Sequence, residues 1–406
     1  MARPNVTIRI VDESLSSPFQ EIAGPAVGAM VSRNGLVLKM GATAEKEQGW
    51  LLAENVNDWY ARLRTFTEKE LIANGITGGT LQANIGASAA AYIAASNTTG
   101  ALNPAWKGEW WAVHNFLQYG SVCYVGATGS VQNTINPYTS LIPNEIDFDV
   151  MFMGTTGATA ENDVVAVIEA KTQTDFGAIG VICDDSANPP TTAPSIGNSQ
   201  FFIHTWGNKL HFDSSGNLIT TNLSPDVAGC LARTDRDFYP WFSPAGRTRG
   251  RILSVVRLEK NPTEAQQDVM YDVGYNPIVT FPGEGTVLFG DKTGDPNGDT
   301  STLSRINVSR LFISLRKLLS PVARAILFEQ NDEFTRERFK LTAETTLNTI
   351  KAQRGIEDFK VICDSSNNTP DLIQQRIFVA DVLVKPITAI NYVRLTFTNK
   401  NLNQPL

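Results

Sequence analysis

Histidine and cysteine are scarce in this 406-residue chain, with three of the first and four of the second. The cysteines, Cys123, Cys183, Cys230 and Cys363, are far apart, and none forms a Cys-x-x-Cys pair. That excludes a zinc knuckle or a disulfide framework and predicts four buried free thiols. Charge is also sparse: only 18% of residues are Asp, Glu, Lys or Arg, and the net charge is −7. Low charge on a large chain suggests that some surface is covered by partners, and the negative balance argues against phosphate-dominated nucleic-acid binding. Long apolar runs are missing. The most apolar stretch, Ile85 to Ala95, is Ala-rich and about half a bilayer span, so no membrane anchoring is expected. The start, Met1-Ala2-Arg3-Pro4-Asn5-Val6, lacks the apolar centre of a signal peptide, and the expectation is a protein made and folded in a cytoplasm.

The length predicts two or three domains. Both ends carry an alternating strand: Val6, Ile8 and Ile10 at one, Val393, Leu395 and Phe397 at the other. A lone strand cannot satisfy its own backbone groups, so each must pair, within its own chain or with a neighbouring molecule. The middle alternates helices with buried strands. Trp110–Leu117 reads as a helix followed by a strand at Val122–Gly126. Asp163–Lys171 reads as a helix leading into Ala178–Cys183, an apolar run typical of a buried parallel strand. This predicts an α/β layer fold, with surface loops at Gly126–Thr139 and Ala187–Ser199.

Two helices dominate the last third. Val308, Leu311, Leu315, Leu318 and Val322 form one stripe, with a kink or restart predicted at Ser320-Pro321. Phe339, Ala343, Leu347 and Ile350 form the other, with Lys351 and Arg354 in the last turn and Gly355 as its cap. Strands are predicted at Phe359–Cys363 and Ile377–Val384, ending at Pro386.

Catalytic patterns are thin. His204 and His211 flank Gly207-Asn208, a turn signal, and with Asp213 could face each other across a metal-holding hairpin; ordinary polar strand positions are the plainer reading. Gly285 to Thr293 is not a phosphate loop, because Asp291 separates Gly290 from Lys292 and Val287-Leu288-Phe289 is too bulky to cradle phosphate. Asp147/Asp149 and Asp184/Asp185 read as solvated carboxylates. From Arg305 to Lys360 cations outnumber carboxylates, although the chain as a whole is acidic. Arg310, Lys317 and Arg324 lie within about 40° of one another on a helical wheel. Opposite the apolar stripe, they are expected to form an outward row facing an acidic partner.

One phrase carries a resemblance. Trp241-Phe242-Ser243-Pro244-Ala245-Gly246-Arg247-Thr248-Arg249-Gly250 resembles the Trp-x-x-Pro-Ala-Gly-x-x-Arg-Gly of contractile tail sheath proteins, found in contractile-tailed bacteriophages and related injection devices. Further matches follow in the family's order: Tyr275-Asn276-Pro277-Ile278, Phe281-Pro282-Gly283-Glu284-Gly285, Phe289-Gly290-Asp291-Lys292-Thr293, Asn307-Val308-Ser309-Arg310-Leu311, Phe328-Glu329-Gln330-Asn331-Asp332, and Val382-Leu383-Val384-Lys385-Pro386. Gln330, Phe289 and Lys292 depart from the family's usual Pro, Trp and Arg.

The resemblance implies a mixed α/β, multidomain structural protein with no cofactor and no enzymatic activity. A subtilisin-like α/β middle domain (21–275) and a C-terminal α/β sheath domain facing the tube (276–386) would stand between strand arms at 1–20 and 387–406. It implies a virion tail component, assembled in the host bacterial cytoplasm, that stacks as hexameric rings around an inner tail tube protein and meets baseplate and tail terminator proteins. Contraction drives the tube through a target envelope for genome ejection or injection. The arms, through Val6, Ile8, Ile10, Val393, Leu395 and Phe397, would exchange strands between subunits, and Arg310, Lys317 and Arg324 would touch the tube. Two other classes stay open: a hydrolase on the subtilisin-like fold, and a carbohydrate-binding module using Trp106, Trp110 and Trp111.

Overall fold

A computed structural model describes residues 35–38, 50–53, 55–57, 104–126, 148–154, 157–174, 177–212 and 218–391. The first strands are β1 (Gly35–Leu38), β2 (Trp50–Ala53) and β3 (Cys123–Gly126), with helix α1 (Pro104–Leu117) before β3. Then come β4 (Val150–Phe152), α2 (Ala158–Thr174), β5 (Ile179–Asp184) and β6 (Phe202–Trp206). Next are β7 (Asn208–Phe212), β8 (Leu218–Asn222), α3 (Ser224–Asp237), the single turn α4 (Gly246–Arg249) and β9 (Arg257–Leu258). They are followed by α5 (Glu264–Asp272), β10 (Tyr275–Asn276), β11 (Ile278–Phe281) and β12 (Gly285–Leu288). The chain continues with α6 (Ile306–Ala325), α7 (Glu333–Ala352), β13 (Ile356–Ile362), α8 (Pro370–Gln374) and β14 (Asp381–Pro386).

Seven strands form the main sheet in the order β2-β3-β1-β4-β5-β6-β10. Every pairing is parallel except that of β2 with β3. The predicted helix–strand alternation is therefore an α/β layer. β5, Ile179-Gly180-Val181-Ile182-Cys183-Asp184, is buried through Cys183 and pairs with β4 and β6. Such a position demands the continuous apolar run that the sequence shows. Gly180 is required by α2: a Cβ there would come within 3.0 Å of Phe202, Val164 and Ile168. The residues at 187–199 form an irregular, largely exposed segment, as expected.

β6 and β7 are consecutive but belong to different sheets, β7 lying between β8 and β9. Gly207, at φ +94°, redirects the chain between them. The expected His204/His211 hairpin is therefore not formed. His204 is buried edge-on to Tyr275, and His211 is buried edge-on to Trp111; Asp213 lies outside the described residues. Among the described residues no cluster of His, Cys, Asp or Glu could hold a metal, and no helix is long and apolar enough to cross a membrane. All four cysteines are buried.

A second core gathers Trp241, Leu311, Leu315, Phe339, Ala343, Leu347, Ile350, Ile356, Val361 and Cys363. Both predicted helical stripes are present, with Leu318 and Val322 partly buried against this core. Two local expectations are corrected. α6 runs through Pro321 without restarting, because Val322 and Ala323 continue to pack on the same core. α7 ends in a Schellman motif: Gly355 N–H donates to Ile350 O and Arg354 N–H to Lys351 O. The left-handed residue is Arg354, at φ +62°, not Gly355. Gly355 is needed for another reason: a Cβ there would lie 2.7 Å from Ile350 and 3.0 Å from Trp241.

The two cores interleave along the sequence. Trp241 belongs to the second, whereas Ile252, Ile278, Leu288, Ile306 and Ile313 belong to the first. The chain crosses the junction several times.

Candidate functional site: the junction and the open ribbon

α6 lies between the two cores. Leu311 and Leu315 point into the second, Ile306 and Ile313 into the first. Its polar side consequently has no solvent to face. Arg310 is 4% exposed and Lys317 2%. Arg310 Nη2 pairs with Asp235 near the end of α3, and Lys317 Nζ with Asp149 Oδ1 at 2.5 Å, just before β4. This corrects the expected outward row. The wheel places the cations opposite the apolar stripe correctly, but that side meets another part of the chain. Only Arg324 is partly exposed. Asp149 is equally not a solvated loop carboxylate. Sequence reasoning missed both partners because they lie 75 and 168 residues away, and no local pattern marks them.

The residues that carried the resemblance are largely joints. Trp241 inserts into the second core and donates from Nε1 to Gln353 O at 3.1 Å. Tyr239 stacks on it at 5.0 Å, and Arg249 lies over Phe238 and Phe242. Asn276 is fully buried at the edge of the main sheet. Its Nδ2 donates to His204 O and Lys292 O, and its Oδ1 accepts from Lys292 N–H at 2.8 Å. Gly290 permits this approach, since a Cβ would sit 2.7 Å from Asn276 Oδ1. Lys292 Nζ, the cation in the rejected phosphate loop, donates to Tyr271 O at the end of α5 and lies 4.2 Å from the Tyr271 ring centroid. A lysine at a helix C-terminus meets the negative end of the dipole there.

Electrostatics elsewhere are also structural. Lys209 Nζ bonds Asp226 Oδ1 at 2.8 Å, with both side chains fully buried. Tyr119 Oη donates to the same oxygen and accepts from Leu253 N–H. Burial pushes the Asp226 carboxyl up, against the pull of Lys209, and pushes the Tyr119 hydroxyl well up. Buried polar groups of this kind must be satisfied, and here they tie the turn after α1, β7 and α3 together. Trp111, offered for sugar binding, is buried against His114 and His211; the side chains of Trp106 and Trp110 lie outside the described residues.

β13 and β14 form an antiparallel ribbon. Among the described residues no third strand joins either edge. β14 alternates exposed and half-buried residues along its length. A two-stranded ribbon with both edges open is a ready acceptor for further strands. The residues expected to supply them, Val6, Ile8, Ile10, Val393, Leu395 and Phe397, lie outside the described residues.

Comparison with known proteins bears out the resemblance read from the sequence. Residues 299–400 match the phage tail sheath C-terminal domain family. Over 175 residues, 43% of this chain, the sequence is 45% identical to a tail sheath protein of Vibrio phage KVP40 and 41% identical to that of Enterobacteria phage T4. The chain spans about a quarter of the length of these relatives, 26% in each case. Among solved structures, the helical sheath of the anti-feeding prophage in its contracted state superposes with a TM-score of 0.66. That match covers 98% of this chain and 100% of the other at 17% identity, and it is a likeness of fold.

Proposed function

We propose that this chain is a structural, non-enzymatic subunit of a contractile tail sheath. It polymerises as hexameric rings around an inner tube and compacts to drive that tube through a target envelope. The observation that carries the reading is the 45% identity to a tail sheath protein over 175 residues. The fold likeness to a contracted sheath over nearly the whole chain adds to it. The open β13/β14 ribbon supports strand exchange with neighbouring subunits through the terminal arms. The parallel sheet with helices packed on it supports a subtilisin-like middle domain used as a scaffold. The partners are copies of the chain, the tube, the baseplate and the tail terminator, in a virion tail assembled in the host bacterial cytoplasm. Arg310 and Lys317, turned inward, take no part in tube contact in this conformation; Arg324 is the member of the row available to it.

A second reading concerns the device. The fold likeness to the anti-feeding prophage sheath supports a phage-derived injection machine, and the 45% identity to a tail sheath protein of Vibrio phage KVP40 supports a phage tail. Electron microscopy of the purified chain tests the common core of both readings. Rings or tubes are expected from the intact chain, and folded monomers after deletion of residues 1–15 or 392–406. Polymers formed equally well by both truncations would refute strand exchange, and an intact chain that stays monomeric even with tubes present would refute the sheath.

A further inference from the structure

Beyond β14 the chain runs along the body. Ile387 N–H donates to Gly355 O at 3.3 Å, and Ile387 O accepts from Asn307 Nδ2 at 3.2 Å. Four residues on, Asn391 Nδ2 donates to Tyr271 Oη at 3.0 Å and to Asp291 Oδ1 at 2.9 Å. These acceptors are assembled without Asn391. Arg305 Nη1 donates to Tyr271 Oη at 2.6 Å and to Asp291 Oδ1 at 3.1 Å, and the Tyr271 hydroxyl donates to Asp291 Oδ1 at 3.0 Å.

Three donors thus converge on one carboxylate oxygen, and losing Asn391 leaves Asp291 with two of them. Breaking this bond orphans no buried charge, which is what makes a contact expensive to open. Within the segment Ile390 is 84% exposed and Ile387, at the first anchor, 39%, so little apolar burial holds it down. The attachment is polar and concentrated at its two ends.

We propose that residues 387–391 are a releasable strap. Closed, it fixes the root of the C-terminal segment beside Asp291. Open, the root retreats to Ile387, and the segment beyond gains four residues of reach, about 14 Å when extended. A chain linked to moving neighbours through that segment would need such slack. This use rests on the sheath reading; the strap itself does not.

Hydrogen exchange by mass spectrometry on the full chain tests it. Asn391→Leu removes the donors, and Asn391→Asp sets a second carboxylate against Asp291. In both variants the amides of 388–391 should exchange at least tenfold faster than in the wild type, with Ile387, α6, β13 and β14 unchanged. Equal rates would overturn the strap. Faster exchange spreading into α6 or β13 would also overturn it, because the contact would then be an ordinary part of the core. A strap that opens in chains that never polymerise, wild type included, would refute the sheath and leave the strap standing.

Discussion

Reversing the three cations of α6 together, Arg310→Glu, Lys317→Glu and Arg324→Glu, should unfold the chain rather than alter its surface. Arg310 and Asp235 are both at least 96% buried by side chain, and Lys317 is 1% exposed against 12% for Asp149. Removing one partner of a buried pair costs about 3–5 kcal/mol, mostly because the other charge is left uncompensated. Reversal is harsher still, since it sets two carboxylates together. Two such sites come to about 6–10 kcal/mol, against a total stability of about 5–15 kcal/mol for a domain. Asp149, at the more open site, can relax toward water, so the lower end applies there. Arg324→Glu alone, at a partly exposed position, should stay within about 0.5 kcal/mol. Urea titration followed by circular dichroism and tryptophan fluorescence reads the difference. Swapping one pair, Lys317→Glu with Asp149→Lys, should recover part of the loss. A triple variant with native spectra and an unshifted urea midpoint would sink the inward-facing assignment and restore an exposed row.

Two further predictions follow from single positions. At the end of α7, Gly355→Ala should cost about 1–3 kcal/mol, because the new methyl meets Ile350 and Trp241. Arg354→Gly, relieving a left-handed residue, should gain up to about 1 kcal/mol; the same sign for both in thermal melts would refute the Schellman assignment. Burial holds the imidazoles of His114 and His204 down to about 4, against an ordinary 6.5. As pH falls the unfolded chain takes up these protons first, so stability is lost between about 6.5 and about 4 and levels off below. Each imidazole contributes up to about 3 kcal/mol to that loss. Urea midpoints at pH 7 and 4.5 should diverge less in His204→Gln than in the wild type, and an unchanged difference would count against buried neutral His204.

Some of this was legible because the signal is local. The stripes of α6 and α7 repeat at helical spacing, and Phe339, Ala343, Leu347 and Ile350 are buried as that spacing requires. The run at Ile179–Cys183 is apolar because α2 and α3 both pack against β5. What the sequence could not show is what lies on the far side of a helix. A wheel separates apolar from charged directions and assigns the charged one to water by default. For α6 that default fails, since Asp235 and Asp149 arrive from distant segments to meet it.

The same distance explains why the family phrases, which carried only a resemblance, behave as joints. Asn276, Gly290 and Lys292 form one contact only when β10 and the loop after β12 are brought together. Trp241 and Asn307 likewise bond partners 112 and 80 residues away, which spacing cannot reveal. A junction built this way differs in kind from the apolar cores beside it. Hydrophobic contact is non-directional and tolerates sliding, whereas ion pairs and amide clamps hold only at one distance and angle. Directional contacts along α6, beside its apolar packing into both cores, fix the two units in one orientation. If the proposed sheath moves by displacing whole subunits, its folded chain would need that rigidity.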